Sequence, residues 1–281
     1  MKRIIAIILS AVLICAALVS CGNGNTNDFE SVRSAGKLVV GMECAYAPYN
    51  WTVSTPSETT HPISNSPGSY ADGYDVQIAK LIASTLNVDL EIRAIEWDGL
   101  IPALEAGEID MIIAGMSPTE ERKLSISFSE TYFDSELVMV VRKDGAYADA
   151  DSISDFSGAR VTGQLNTFHY SVIDQIAGVN KTTALQDFSA LLQSLESGAI
   201  DGYVCEKPGA ISAVASNPNF MYVEFSEGNG FTYDPTSSSI SVGVRQGSNL
   251  VQSINFAISS LTAEDKEAMM TAAIERQPSA E

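Results

Sequence analysis

Leu104-Glu105-Ala106-Gly107-Glu108-Ile109-Asp110 and Leu195-Glu196-Ser197-Gly198-Ala199-Ile200-Asp201 repeat one pattern at an offset of 91 residues. In each, a helix runs out at a glycine, the residue that most readily takes the left-handed conformation closing a helix. A short apolar run follows at once, Met111 to Ala114 and Gly202 to Cys205, and reads as a buried strand. A shared helix–Gly–strand unit implies duplication and predicts two lobes built alike.

Outward from the first copy, Lys37 to Met42 is a short apolar strand. Asp75 is placed to cap a helix with Val76, Ala79, Ile82 and Leu86 on one face, and Val88, Leu90, Ile92 and Ala94 alternate as a strand. Asp98 is placed to cap a helix through Leu100, Ile101 and Leu104. Strand and helix in alternation predict an α/β lobe with a largely parallel sheet, in which ligands bind beyond the carboxyl ends of the strands. Around the second copy, Ser157-Gly158 turns into a strand from Arg160 to Gly163, and Leu185 to Leu195 is helical. Phe231 to Ser239 is a polar connector, Ile240 to Val244 a strand, and Asn249 to Ala273 helical. That tail has no second strand–helix set of its own and is expected to return to the first lobe. The division predicted is residues 36–134 for the first lobe, 135–238 for the second, and 239–281 for the returning part. Two crossings, near Ser135 and Ser238, would form a hinge.

The run Gly115-Met116-Ser117-Pro118-Thr119-Glu120-Glu121-Arg122 follows the first repeated strand. Ser117 can cap a helix starting at Pro118, with Glu120 completing a capping box. The free N–H groups of such a helix would face the cleft, and Arg122 adds a planar fork suited to a carboxylate. Gly115 lets a ligand approach the backbone. The offset maps Gly115 onto Glu206, which should end the matching strand of the second lobe. An anion site on one lobe and a carboxylate on the other fit a zwitterion. The plainer alternatives are a capped helix with a surface Arg122, and Glu206 paired with Lys207.

The N-terminus begins Met-Lys-Arg and continues with an apolar run from Ile4 to Val19, shorter than the roughly 20 residues of a spanning helix. This describes a secretory signal over residues 1–20. Leu18-Val19-Ser20-Cys21 resembles a bacterial lipobox, which implies cleavage before Cys21 and lipid on its sulfur; residues 21–35 then form a flexible tether. The predicted place is the extracytoplasmic face of the cell membrane. A formal charge of −19 argues against nucleic acid as a partner. Cys44 and Cys205 are expected as buried free thiols, a disulfide between them being the alternative. With only His61 and His169 available, no metal site is expected, and nothing calls for a cofactor.

The chain resembles the bacterial extracellular solute-binding proteins of family 3, which serve polar amino-acid importers. The resemblance lies in Gly36 to Tyr49, Gly73 to Ala79 and Trp97 to Arg122, and more weakly in Gly158 to Thr167, Gly198 to Pro208 and Ile240 to Gly247. It implies the two-lobed, type II periplasmic-binding-protein fold with a two-stranded hinge, an ABC permease as partner, and a monomer. By resemblance, Arg122 holds a ligand α-carboxylate with Ser117 and the backbone at Gly115. Tyr46 and Trp97 wall the side-chain pocket, and Glu43 meets the ligand's far end. Thr167 helps hold the carboxylate through its backbone and hydroxyl, and Glu206 takes the α-ammonium. Asn166-Thr167-Phe168 departs from the family's usual Gly-Thr-Thr, Glu206 is longer than the family's Asp, and Thr52 to Ala71 exceeds the usual hairpin. A spare acid at Glu43 favours a polar or basic amino acid over an acidic one. Two other functions share the fold: a cyclohexadienyl-dehydratase-like exported enzyme, and a sensing partner of a membrane receptor. No Ser or Cys has a plausible His partner for nucleophilic catalysis, so the expectation is a receptor rather than an enzyme.

Overall fold

The computed structural model describes residues 27–278, so the predicted signal and Cys21 lie outside the described residues. Two five-stranded sheets form the lobes. In the first, the order is Asp89–Ala94, Lys37–Met42, Met111–Ile112, Ile240–Arg245, Ile126–Phe133. The first three strands are parallel and the last two antiparallel to their neighbours. In the second, the order is Asn180–Lys181, Arg160–Thr162, Gly202–Glu206, Leu137–Arg142, Phe220–Val223. The chain passes between sheets after Phe133 and again before Ile240, and the two passages touch, with Ser239 Oγ donating to Asp134 Oδ1 at 2.7 Å. The doubly crossed α/β architecture expected from the sequence is thus the observed one.

The repeat is visible atom by atom. Helices Leu100–Glu105 and Phe188–Glu196 both run out at a left-handed glycine, Gly107 (φ 74°) and Gly198 (φ 73°). Asp110 accepts the N–H of Val39 at 2.9 Å, and Asp201 accepts that of Arg160 at 2.8 Å, so each repeated Asp pins the neighbouring parallel strand. An arginine then binds the same two carbonyls in each copy. Arg245 donates to Leu104 O (3.4 Å) and Ile109 O (2.7 Å); Arg142 donates to Leu195 O (2.8 Å) and Ile200 O (3.3 Å). In each copy one nitrogen, Nη1 of a half-buried guanidinium, satisfies both carbonyls.

Several local expectations are corrected. Asp75 is not a cap: the helix is Tyr74–Leu86 behind Gly73, and the Asp75 carboxylate is fully buried. Asp98 does not cap either; a 3-10 turn, Trp97–Gly99, precedes the helix that starts at Leu100. Ser117 yields the cap to Thr119, whose hydroxyl accepts the N–H of Arg122, because the backbone stays extended through Thr119; the helix is only Glu120–Lys123. The long C-terminal helix is two, Leu250–Ser259 and Ala263–Arg276, broken where Thr262 and Asp265 form a capping box.

The long segment after Thr52 belongs to a small sheet, Ala45–Tyr46, Asn50–Val53, Tyr70–Asp72, His61–Pro62. It lies along the outer edge of strand Asp89–Ala94. His61 Nε2 meets Leu90 O at 2.9 Å, Ser64 N donates to Ile92 O at 2.8 Å, and the Asn65 amide bonds both Ala94 O (2.8 Å) and Ala94 N (3.0 Å). Three carbonyls of that edge, Leu90, Ile92 and Ala94, and the Ala94 N–H are thereby paired. Cys44 and Cys205 are free and buried, and burial pushes the Cys44 thiol up to about 12.

Candidate functional site

The carboxyl ends of the central strands of both sheets meet at the cleft. Met42 leads to Glu43, Ile112 leads to Gly115, Thr162 leads to Gln164, and Glu206 itself ends its strand and begins helix Lys207–Ser216. Seven residues singled out from the sequence surround one enclosed space of about 10 Å³: Tyr46, Trp97, Gly115, Ser117, Arg122, Thr167 and Glu206. The sequence reading missed three others that line it, Gln164, Phe168 and His169. Gln164 could have been found by the rule that located Glu206, since it too follows the end of a parallel strand. The space shares Trp97, Arg122, Thr167 and Phe168 with a recess of about 600 Å³ at the cleft mouth, which is the way in from solvent.

Arg122 comes from the first lobe. Its Nη1 donates to Ser117 O at 2.9 Å and its Nη2 to Asn166 O of the second lobe at 3.1 Å. The Trp97 ring lies against it, 5.0 Å from the guanidinium carbon to the ring centroid. Burial pulls its pKa down to about 10, against the pull of Glu206 and Glu121, so it remains a cation at neutral pH. Ser117 therefore serves Arg122 through its carbonyl and not as a helix cap. Gly115 is held at φ 60°, and a Cβ there would stand 3.1 Å from the Tyr46 ring, so both backbone angle and ring approach require glycine.

Glu206 comes from the second lobe and is buried. Tyr46 of the first lobe donates its hydroxyl to Oε2, while His169 Nε2 lies 2.9 Å from Oε1. Burial by itself would raise the carboxyl. The charge of His169, its close contact and the Tyr46 hydroxyl together outweigh burial and hold it below the usual value. Lys207 does not pair with Glu206; it pairs with Glu136 at 2.8 Å and Glu224 at 2.6 Å.

Glu43, expected from the sequence to face the ligand, does not line that space but bonds Gln164, which does. Its Oε1 accepts from Gln164 Nε2 across the cleft at 3.3 Å, and its Oε2 is buried with no partner among the described residues. Burial pushes this carboxyl up to about 7, countered by Gln164 and reinforced by Asp187, Glu96 and Asp98. Thr167 turns its hydroxyl to Gln164 O at 2.7 Å, so in this conformation it braces the second-lobe loop. Asn166 Nδ2 reaches Asp98 Oδ1 at 2.8 Å, which gives Asp98 a part at the cleft.

Behind the first-lobe half sits Asp75. It accepts from Tyr132 Oη (2.7 Å), Asn50 Nδ2 (2.8 Å) and the backbone N–H of Gly115, while Asn50 Oδ1 accepts the N–H of Cys44 at 2.6 Å. One buried carboxylate thus fixes both loops, 43–46 and 115–117, that carry the first lobe's cleft-facing groups. Burial pushes it up to about 6 despite these bonds.

Comparison with known proteins gives this geometry its context. The fold is that of an amino acid ABC transporter substrate-binding protein from Streptococcus pneumoniae Canada MDR_19A bound to L-arginine, with a TM-score of 0.76 and 24% identity over 89% of this chain and 98% of that one. The arginine-bound Gly52Ala mutant of ArgBP from T. maritima is 29% identical, with a TM-score of 0.68, over 83% of this chain and 100% of that one. The arginine-binding extracellular protein ArtP of Bacillus subtilis (strain 168) is 26% identical over 76% of this chain and 77% of its own length. Residues 38–272 match the sequence pattern of a single family throughout, and on that match, with the two-lobed fold behind it, the chain belongs to the bacterial extracellular solute-binding proteins, family 3.

Proposed function

We propose that this protein is an extracytoplasmic receptor for a free amino acid, basic or amide-bearing, which it delivers to an ABC importer. The observation that carries the reading is the opposition of Arg122 and Glu206, one from each lobe, across a single enclosed space. A fork for a carboxylate and a carboxylate for an ammonium are what a zwitterion needs. Glu43 then selects the side chain: its unpartnered Oε2 calls for a donor, which arginine, lysine, histidine or glutamine brings and glutamate does not. The relative named for arginine points the same way. Cys21 carries the lipid that holds the protein at the outer face of the membrane as a monomer, and loss of membrane association in Cys21→Ala checks the anchor.

Calorimetry of the purified protein against arginine, lysine, histidine, glutamine and glutamate tests the ligand. Saturable heat from one of the first four supports the reading; tight glutamate binding with none from the others overturns it. The raised carboxyl of Glu43 is the one feature favouring the dehydratase alternative, since a buried acid can donate a proton at neutral pH. Steady turnover of a cyclohexadienyl acid would decide for that alternative.

A further inference from the structure

His169 has no part in the reading above, yet it sits against the group that reading relies on. It is the second residue of the short helix Phe168–Val172, and its side chain is 8% exposed. Phe168 packs on it with ring centroids 4.6 Å apart, and the backbone of Gly163 approaches its own so closely that a Cβ on Gly163 would lie 3.3 Å from the His169 carbonyl carbon. The ring therefore has little freedom to swing away. Its Nε2 is 2.9 Å from one oxygen of Glu206, and the Tyr46 hydroxyl bonds the other. Both oxygens of the ammonium-seeking carboxylate already face donors of the chain. The charged and titratable groups around the same space are Glu206, Tyr46 and Arg122, with Glu43 beyond Gln164.

We propose that His169 is a specificity-determining residue: by occupying one oxygen of Glu206 from within the chain, it sets how strongly the cleft demands an α-ammonium group on the ligand. The inference rests on the amino-acid reading of the cleft. Where a ligand alone supplies the partner, a des-amino ligand leaves a buried carboxylate uncompensated, and the penalty rejects it. Here the imidazole stays in place. A hydroxy acid or plain carboxylic acid with the right side chain leaves Glu206 in contact with His169 and is retained. A true amino acid adds its ammonium to a carboxylate that already has partners, and gains less from it.

The test is calorimetry on the full chain with two matched pairs, L-arginine with 5-guanidinopentanoate and L-glutamine with 4-carbamoylbutanoate. Within a pair the side chain meets Glu43 identically, so the difference in affinity reports the ammonium end alone. Expected is an affinity gap of about tenfold or less within a pair for the unaltered protein. In His169→Gln the gap widens by about tenfold or more. An unchanged gap in a folded His169→Gln overturns the proposal. So does a gap of about a hundredfold or more in the unaltered protein, a measurement that needs no variant. If no member of either pair binds the unaltered protein, the amino-acid reading itself falls and takes this proposal with it.

Discussion

At the scale of single residues, the cleft is governed by three charges whose environments differ. Arg122 is a cation between Trp97 and two carbonyls. Its truncation in Arg122→Ala should weaken ligand binding by about 2–5 kcal/mol, and Arg122→Lys should recover only part, because a point charge cannot replace the fork. Unimpaired binding by Arg122→Ala in calorimetry would place the carboxylate elsewhere. Glu43 is an acid whose carboxyl is raised from 4.5 to about 7 in the folded protein. As pH rises between these values the unfolded chain loses this proton first, so Glu43 removes stability with rising pH. Thermal melts of Glu43→Gln should therefore match the parent near pH 4 and exceed it above pH 7. Affinity for arginine should rise through about pH 7 in the parent, as the carboxylate forms, and lose that rise in the variant. Glu206 was legible in the sequence because the repeat transferred Gly115 onto it. His169 was not, since a histidine in the first turn of a short helix carries no period or motif, and its meaning comes only from the fold bringing it to Glu206.

At the scale of elements, the repeat was readable because it is spelled in residues that each have a structural duty. Gly107 and Gly198 take the left-handed angle, and Asp110 and Asp201 pin the adjacent strand. The arginines that complete the two copies were invisible, because Arg142 and Arg245 lie on strands far from the pattern in sequence. Replacing Arg142 by Met should strip the Leu195 and Ile200 carbonyls of their donor and destabilise the protein by about 1–3 kcal/mol, measured by denaturant unfolding. A change within error would mean that water satisfies those carbonyls equally well. The antiparallel strands Ile126–Phe133 and Leu137–Arg142 escaped notice for a related reason: one alternates only loosely in burial and the other is buried almost throughout, so neither shows a clean period of two. The misplaced cap at Ser117 shows the limit of capping rules, which fix the neighbourhood of a helix start but not its residue.

At the scale of the molecule, two sheets share one cleft and two adjacent crossings bonded through Ser239 and Asp134. Contacts that span the cleft are a few hydrogen bonds, Gln164 to Glu43, Asn166 to Asp98, Arg122 to Asn166 and Tyr46 to Glu206, rather than a packed apolar core. Small-angle scattering should accordingly show a smaller radius of gyration under saturating ligand than without it; superimposable profiles would argue for a cleft that does not move. The segment laid along strand Asp89–Ala94 bears on a different property. A sheet margin with unsatisfied amides is a template on which a second chain can grow. At high local concentration an open margin recruits neighbours strand upon strand. His61, Ser64 and Asn65 occupy that margin. Excising residues 55–68 should leave the cleft residues in place and yet turn a dispersed protein into one that assembles with rising concentration in analytical ultracentrifugation.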